Sequence, residues 1–178
     1  MRKVMTLSLL LYLLPLPSAA QEVVVLPGYE GAIEWLESIE WWGKDLHGEQ
    51  LAVPRTLLIA ISPRWRQEAP EMEAALKKEF FYRSLLPLVV HANSMVLNRR
   101  ERLAALDGLL SRGNLPKDGE LDWLRQLAVV LRIHPQEEMD GMAATEEWRQ
   151  VVAEALYRLD VIPAGLALGQ AAIESGYG

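Results

Sequence analysis

Residues 71–112, EMEAALKKEFFYRSLLPLVVHANSMVLNRRERLAALDGLLSR, carry the longest helical pattern of the chain. Apolar side chains recur along this stretch mainly at helical spacings: Leu76, Phe80, Leu85, Leu88, Val89, Val96, Leu103, Leu106 and Leu110. This periodicity predicts helix throughout. Because a proline lacks the backbone N–H and its ring clashes with the preceding turn, Pro87 predicts a kink or break. We therefore expect two helices that meet at Pro87.

Shorter helical patterns lie on both sides of this stretch. Turn and capping residues bound them, and the predicted helices cover residues 31–42, 120–133, 145–159 and 163–175. Thr145 is the expected N-cap of the third helix and Pro163 the first residue of the fourth. Residues 57–61 favour an extended segment, and residues 134–141 favour a loop. The predicted fold class is mainly α.

The composition is that of a folded protein. The chain has 178 residues, of which 51% are hydrophobic. This composition is sufficient for a buried core, and the length predicts one domain. It contains no cysteine, which excludes a disulfide framework, a thiolate zinc site and a cysteine nucleophile. The stability must therefore come from packing.

Residues 1–20 predict a secretory signal peptide. Arg2 and Lys3 precede an apolar run, and Ser18 and two alanines supply a cleavage position after residue 20. The apolar run would span only about 16 Å as a helix, too short for roughly 30 Å of hydrocarbon. Gln21 excludes a lipid anchor on cysteine, so no stable membrane anchor is expected after cleavage.

The charge of the exported chain is acidic. Loss of Arg2 and Lys3 leaves 16 basic and 24 acidic residues, a formal charge of −8. An acidic protein is repelled by the phosphate backbone, so nucleic-acid binding is disfavoured.

The last predicted helix is apolar on almost every face. Before Ser175 its only polar side chains are Gln170 and Glu174, which are four residues apart and form one narrow strip. A helix of this kind is normally buried. The unpaired carbonyl groups of the last turn and partial burial would both favour the protonated form of Glu174, as a general acid requires.

The residues after Glu174 predict how the helix ends. Gly176 suits a left-handed C-terminal position, which would let Tyr177 fold back towards Ala171 and Ala172. In the alternative interpretation, Glu174 forms an ion pair with a residue such as Arg158, and the turn is only a helix stop.

Two stretches resemble a known family. IPAGLALGQAAIESGYG, residues 162–178, resembles the catalytic-glutamate motif of bacterial endo-β-N-acetylglucosaminidases with a lysozyme-like fold, which occur in peptidoglycan hydrolases. FFYRSLLPLVVHANSMVLNRRERL, residues 80–103, resembles the helical region that precedes this domain in the Bax-type branch. The resemblance covers about residues 54–178.

The resemblance implies an activity and a site. Glu174 would be the general acid that protonates the leaving oxygen of a β-1,4 link at N-acetylglucosamine, and Tyr177 and Gln170 would contact the glycan. Peptidoglycan strands would be the partner, with no cofactor and no metal. The protein would be periplasmic or secreted.

The resemblance also implies a domain layout. Residues 1–20 would be the signal peptide, 21–53 an N-terminal segment with one short helix, 54–143 the Bax-like helical region, and 144–178 the start of an incomplete lysozyme-like domain. In the family, further chain after the motif completes the cleft, so we expect this sequence to be a fragment or a degenerate version with little activity. No second carboxylate can be assigned, and retaining, inverting and substrate-assisted mechanisms stay open.

Two other functions are compatible with the sequence. A lytic transglycosylase would use the same glutamate but release anhydro-sugar products. A non-catalytic helical module of the cell envelope would bind glycan or a partner protein without using Glu174.

Tryptophan, histidine, arginine and acidic residues elsewhere in the chain are further candidates for a site. Of the six tryptophans, the pair Trp41-Trp42 is the best candidate for sugar stacking, because adjacent side chains cannot share one helix face and one should be exposed. His91 is predicted to be a hydrogen-bonded structural residue within an apolar helix. The arginine run 99–102 is predicted to be an exposed helix face, and the acidic residues Glu137, Glu138 and Asp140 a solvated loop. His47 and His134 lack zinc spacing, and Ser175 has no base nearby.

Overall fold

A computed structural model describes residues 28–43, 53–55 and 65–177 of the chain. The helices are α1 (Gly28–Ser38), α2 (Trp65–Glu68), α3 (Ala74–Leu110), α4 (Asp118–Val130), α5 (Gln136–Met139), α6 (Thr145–Arg158) and α7 (Ala164–Ser175). Of the described residues 72% are helical, and none of them forms a strand. The prediction of a mainly α fold is confirmed. The predicted signal peptide, the extended segment 57–61 and His47 lie outside the described residues.

The central helix α3 runs unbroken through Pro87, so the prediction of two helices is wrong. In an α-helix the N–H of residue 87 would bond to the carbonyl of residue 83, and proline cannot supply it. The indole Nε1–H of Trp41 takes its place and donates to the Arg83 carbonyl at 2.9 Å. A tertiary contact therefore satisfies the backbone group that the proline leaves unpaired.

Arg83 in turn donates a hydrogen bond to the backbone of Trp41. The buried guanidinium of Arg83 donates through Nη1 to the Trp41 carbonyl at 2.7 Å, and its Nη2 lies 3.0 Å from Oε1 of Glu79. A buried cation is costly unless it is paired and hydrogen-bonded, and this one is both. The segment after α1 is thereby fixed to the first half of α3.

Two apolar clusters lie along α3. The first is built by α3, α4, α5 and α6, and its buried members are Leu103, Leu106, Leu110, Leu124, Leu127, Ala128, Met139, Trp148, Val151, Val152, Ala155 and Leu159. The second is built by α1, the first half of α3 and α7, and its buried members are Ala32, Leu36, Trp41, Phe80, Leu86 and Leu168. Helix α3 contributes to both clusters, so it connects the α4–α6 side of the fold to α7.

Arginines close two of the helix ends. Arg100 donates from α3 to the carbonyls of Leu156 and Leu159 at the end of α6. Arg158 donates to the carbonyls of Leu131 and Arg132 at the end of α4, at 2.9 and 2.8 Å. Helix ends leave such carbonyls without intrahelical partners, and a guanidinium satisfies both their hydrogen bonding and their partial negative charge.

The arginine run 99–102 is therefore more than an exposed face, and that prediction needs correction. Besides the role of Arg100, the Arg102 guanidinium lies 3.9 Å from the ring centroid of Trp123 and its Nε bonds to Glu120 at 2.9 Å. Only alternate residues of the run, Arg99 and Glu101, point to solvent.

Helix boundaries differ from prediction at several positions, and the largest shift is in α1, which covers Gly28–Ser38 instead of residues 31–42. The predicted loop 134–141 contains the four-residue helix α5, which is too short to show a period. Ala144, not Thr145, is the N-cap residue of α6, and the Glu147 carboxylate accepts the N–H groups of Ala143 and Ala144 at 3.1 and 3.0 Å. Pro163 precedes α7 as its N-cap. None of the described helices is long and apolar enough to cross a membrane.

We predict that Trp41→Phe lowers the free energy of unfolding by about 1–3 kcal/mol, because it leaves the buried Arg83 carbonyl without a donor. In a Pro87→Ala background residue 87 regains an N–H for that carbonyl, so the same substitution should cost about 1 kcal/mol less there. Urea unfolding of the four proteins of this cycle measures the difference. Trp35→Phe, a half-buried tryptophan of the same cluster, is the control for ring size. An equal cost of Trp41→Phe in both backgrounds would contradict the explanation.

Candidate functional site

Two features hold helix α7 in place: a strip of buried side chains, and a pair of hydrogen bonds to the residue just before the helix. Leu168 and Ala172 are its buried residues, and its neighbour is α3. The amide of Asn93 on α3 donates to the Ile162 carbonyl at 2.7 Å and accepts the Ile162 N–H at 3.1 Å. This paired contact fixes the chain just before α7 begins.

The face of α7 opposite its two buried residues is exposed, so the prediction of a helix buried on almost every face is wrong. Leu166 is 65% exposed and Ile173 is 79% exposed. With Gln170 and Glu174 they occupy positions i, i+7, i+4 and i+8, which form one helix face. The described residues therefore cover one side of α7 only, and this apolar face with two polar groups is left at the surface.

Glu174 lies on that exposed face. Its Oε1 accepts a hydrogen bond from Nε2 of Gln170 at 2.7 Å, which confirms the polar strip that the spacing predicts. The predicted shelter is absent among the described residues, because the side chain is exposed. The alternative ion pair with Arg158 is also wrong, since that guanidinium bonds to Glu154 at 2.6 Å and to the end of α4.

The turn after Glu174 has an unusual backbone. Gly176 is left-handed as predicted, with a φ of 59°, and its N–H donates to the Ala172 carbonyl at 2.9 Å. Tyr177 follows with a φ of 71°, in a region that bulky side chains rarely adopt. The Ser175 hydroxyl donates to the Ala171 carbonyl at 2.8 Å, so it is engaged with the helix backbone. Two consecutive left-handed residues turn the chain sharply back from the end of α7.

This turn carries Tyr177 onto α3. Tyr177 was expected to fold towards Ala171 and Ala172, but its aromatic partners are on the neighbouring helix. Its ring centroid lies 5.5 Å from that of Phe81 and 6.0 Å from that of Tyr82, both edge to face, and the Lys78 ammonium lies 5.2 Å from the same centroid. Tyr177 follows Glu174 by three residues in the sequence, and its ring completes an aromatic cluster with Phe81 and Tyr82.

Tyr82 is chemically altered by this contact. Its pKa is raised, first by the side-chain hydrogen bond with Tyr177 and then by burial, since both favour the neutral phenol. The interaction between the two phenols therefore links the turn after α7 to α3.

The other candidate residues are placed elsewhere. Trp41 is buried and Trp42 is half-buried in the second cluster, so neither member of the pair is exposed for sugar stacking. His91 lies in α3 and is exposed, so the prediction of a hydrogen-bonded structural residue gains no support from its position.

The acidic residues and the remaining histidine do not form a metal site. His134 lies 2.9 Å from Glu138, and Glu137, Glu138 and Asp140 are exposed. Within residues 28–43, 53–55 and 65–177, no group of three histidine or acidic side chains is arranged to hold a metal ion.

Sequence reasoning missed Lys78, Phe81, Tyr82 and Asn93 as neighbours of the site. Lys78 and Tyr82 are four residues apart and so share a helix face, which was visible in the sequence. Nothing in the sequence indicated that the end of α7 would meet this face.

Comparison with known proteins gives no further assignment, because no protein-family model, curated protein or solved structure matches this chain.

We predict that the interaction between the hydroxyl groups of Tyr82 and Tyr177 makes the free energy of unfolding decrease at alkaline pH. Because the folded-state pKa of Tyr82 is raised, the contribution is complete below the ordinary tyrosine pKa of about 10 and is lost as the pH rises above it. Urea unfolding between about pH 9 and about pH 11 should therefore show a smaller decline in Tyr82→Phe than in the wild type. Tyr157→Phe is the matched control, since Tyr157 is 84% exposed. Equal declines in Tyr82→Phe and the wild type would rule out this linkage.

Proposed function

We propose that this protein is an exported peptidoglycan glycosidase that cleaves β-1,4 links of the glycan strand at N-acetylglucosamine. The observation that carries the proposal is the Glu-Ser-Gly-Tyr sequence at the exposed end of α7, where Glu174 is open to a polymer from outside. A long glycan strand can reach a carboxyl group on a surface face more easily than one in a closed pocket. The resemblance of residues 162–178 to a catalytic-glutamate motif supplies the chemistry.

Glu174 is the general acid in this proposal. Gln170 donates to Oε1 and thereby orients the carboxyl group, which leaves Oε2 to carry the proton towards the leaving oxygen of the glycosidic bond. The proposal needs no cofactor and no metal. Retaining, inverting and substrate-assisted reactions all begin with this proton transfer, and a single assigned acid is compatible with each of them.

The exposure of Glu174 sets a requirement for this mechanism. A carboxyl group in water is mostly ionised at neutral pH, whereas a general acid must carry its proton. Exclusion of water raises the cost of the charged form. The bound strand must therefore exclude water from Glu174 before the proton is transferred.

Two alternatives differ in product or in chemistry. A lytic transglycosylase would use Glu174 on the same bond class and form anhydromuramic ends. A non-catalytic envelope module that binds glycan is favoured by the exposed position of Glu174 together with the exposed apolar residues Leu166 and Ile173. The predicted signal peptide supports a periplasmic or secreted location for each of these proposals.

We predict that Glu174→Gln lowers cell-wall cleavage by about 10² to 10⁴-fold, because the amide cannot deliver a proton but keeps the size of the side chain. The assay uses the longest product of the gene on purified peptidoglycan, with mass spectrometry of the fragments. N-acetylglucosamine at the reducing end is the expected product, and anhydromuramic ends would identify the transglycosylase instead. Glu37→Gln, an exposed glutamate on α1, should leave the rate unchanged. Undiminished cleavage by Glu174→Gln would show that Glu174 is not the general acid, and absence of cleavage by the wild type together with binding of glycan would support the non-catalytic module.

A further inference from the structure

We propose that Tyr82 and Tyr177 form a site of oxidative modification, at which a one-electron oxidant joins the two phenol rings in a dityrosine cross-link. The cross-link would tie the turn after α7 covalently to α3. The inference concerns a contact between these two elements and does not depend on the role of Glu174.

The two tyrosine rings are already in contact. Their centroids lie 6.0 Å apart in an edge-to-face arrangement, and the two side chains share a hydrogen bond through their hydroxyl groups. In dityrosine the new bond joins the ring carbons next to the two hydroxyl groups. A hydrogen bond between the hydroxyl groups therefore brings these two carbons close together. Among the described residues, no other two tyrosine rings are in contact.

The surroundings hold the two rings together. Phe81 lies edge to face against both, with its ring centroid 5.5 Å from each of theirs. Gly176 and Tyr177 are both left-handed, and the sharp turn that they form carries the Tyr177 ring to α3. Both tyrosines are half-buried, so part of each ring is open to an oxidant. Each ring is nevertheless less open to a second molecule than that of Tyr157, which is 84% exposed.

The reaction is a two-electron oxidation of the protein. Each phenol loses one electron and one proton and becomes a phenoxyl radical, and the two radicals pair their electrons in a bond between the two ring carbons. The hydrogen atom on each of these carbons then moves to the oxygen of its ring, which restores both aromatic rings and both hydroxyl groups. Hydrogen peroxide, activated by a haem peroxidase, accepts the two electrons and two protons and leaves as two molecules of water.

The cross-link would stabilise a chain that cannot form a disulfide. The sequence contains no cysteine, and the predicted export would bring the protein into the oxidising surroundings in which other exported proteins form disulfides. Between Tyr82 and Tyr177 lie α4, α5, α6 and α7. A covalent link between residues this far apart in the sequence restricts the unfolded chain and so favours the folded state.

The experiment oxidises the purified chain with hydrogen peroxide and a haem peroxidase, isolates the monomer under denaturing conditions and maps its peptides by mass spectrometry. Trypsin cleaves after Lys78, Arg83 and Arg158, so the cross-link would join residues 79–83 to residues 159–178. Each of these two peptides contains a single tyrosine. We expect the monomer to contain this linked peptide, lighter by two hydrogen atoms than the two separate peptides together, and to show dityrosine fluorescence.

Three controls test whether the fold directs the reaction. Oxidation in urea should not yield the linked peptide, because the unfolded chain no longer holds the two rings together. Tyr82→Phe and Tyr177→Phe should each abolish the dityrosine fluorescence of the monomer. Tyr157→Phe, which removes an exposed tyrosine, should leave the yield of the linked peptide at the wild-type level. The cross-linked monomer should also unfold at a higher urea concentration than the unoxidised chain.

The peptide map of the wild type decides the question even where a variant does not fold. Absence of the linked peptide from the oxidised folded chain would overturn the inference. An equal yield of that peptide in urea, or dityrosine confined to covalent dimers of the chain, would overturn it as well.

Discussion

The hydrogen bond from the Trp41 indole to the Arg83 carbonyl is the contact on which the continuous central helix depends. Pro87 removes the internal donor for that carbonyl, and a buried carbonyl without a donor would cost about 1–3 kcal/mol. Since the indole supplies the donor, α3 can carry a proline in its interior and still run from Ala74 to Leu110. The residues that meet Tyr177 lie less than three turns before Pro87 on the same helix. A break at Pro87 would separate them from Asn93, which holds the start of α7.

Much of the fold could be predicted because it is encoded locally. Apolar periodicity located α4, α6 and α7 to within a few residues, and the glycine after Ser175 predicted the left-handed end of α7. The break at Pro87 was predicted wrongly because the penalty of a proline was judged from its own helix. The donor that compensates for it is 42 residues away in the sequence, and no local pattern indicates it. The short helix α5 was missed because four residues contain no repeat.

The candidate site shows the same division between local and tertiary information. The bond from Gln170 to Glu174 follows from their spacing of four residues, so sequence alone was sufficient to predict it. The exposure of α7 could not be predicted in this way. An apolar composition shows that a helix can be buried, but the elements that surround it decide whether it is. Among the described elements, α7 packs on α3. The partners of Tyr177 likewise depend on how two distant helices cross.

The exposed face of α7 links the stability of this helix to its proposed chemistry. Leu166 and Ile173 lie beside Gln170 and Glu174, so any surface that covers the apolar side chains also removes water from the carboxyl group. Burial of the two apolar side chains would contribute about 1.5–3 kcal/mol each to association. Under the proposed function, a glycan strand bound on this face would therefore cover Leu166, Ile173 and Glu174 together, so that the apolar contacts hold the strand where the carboxyl group acts.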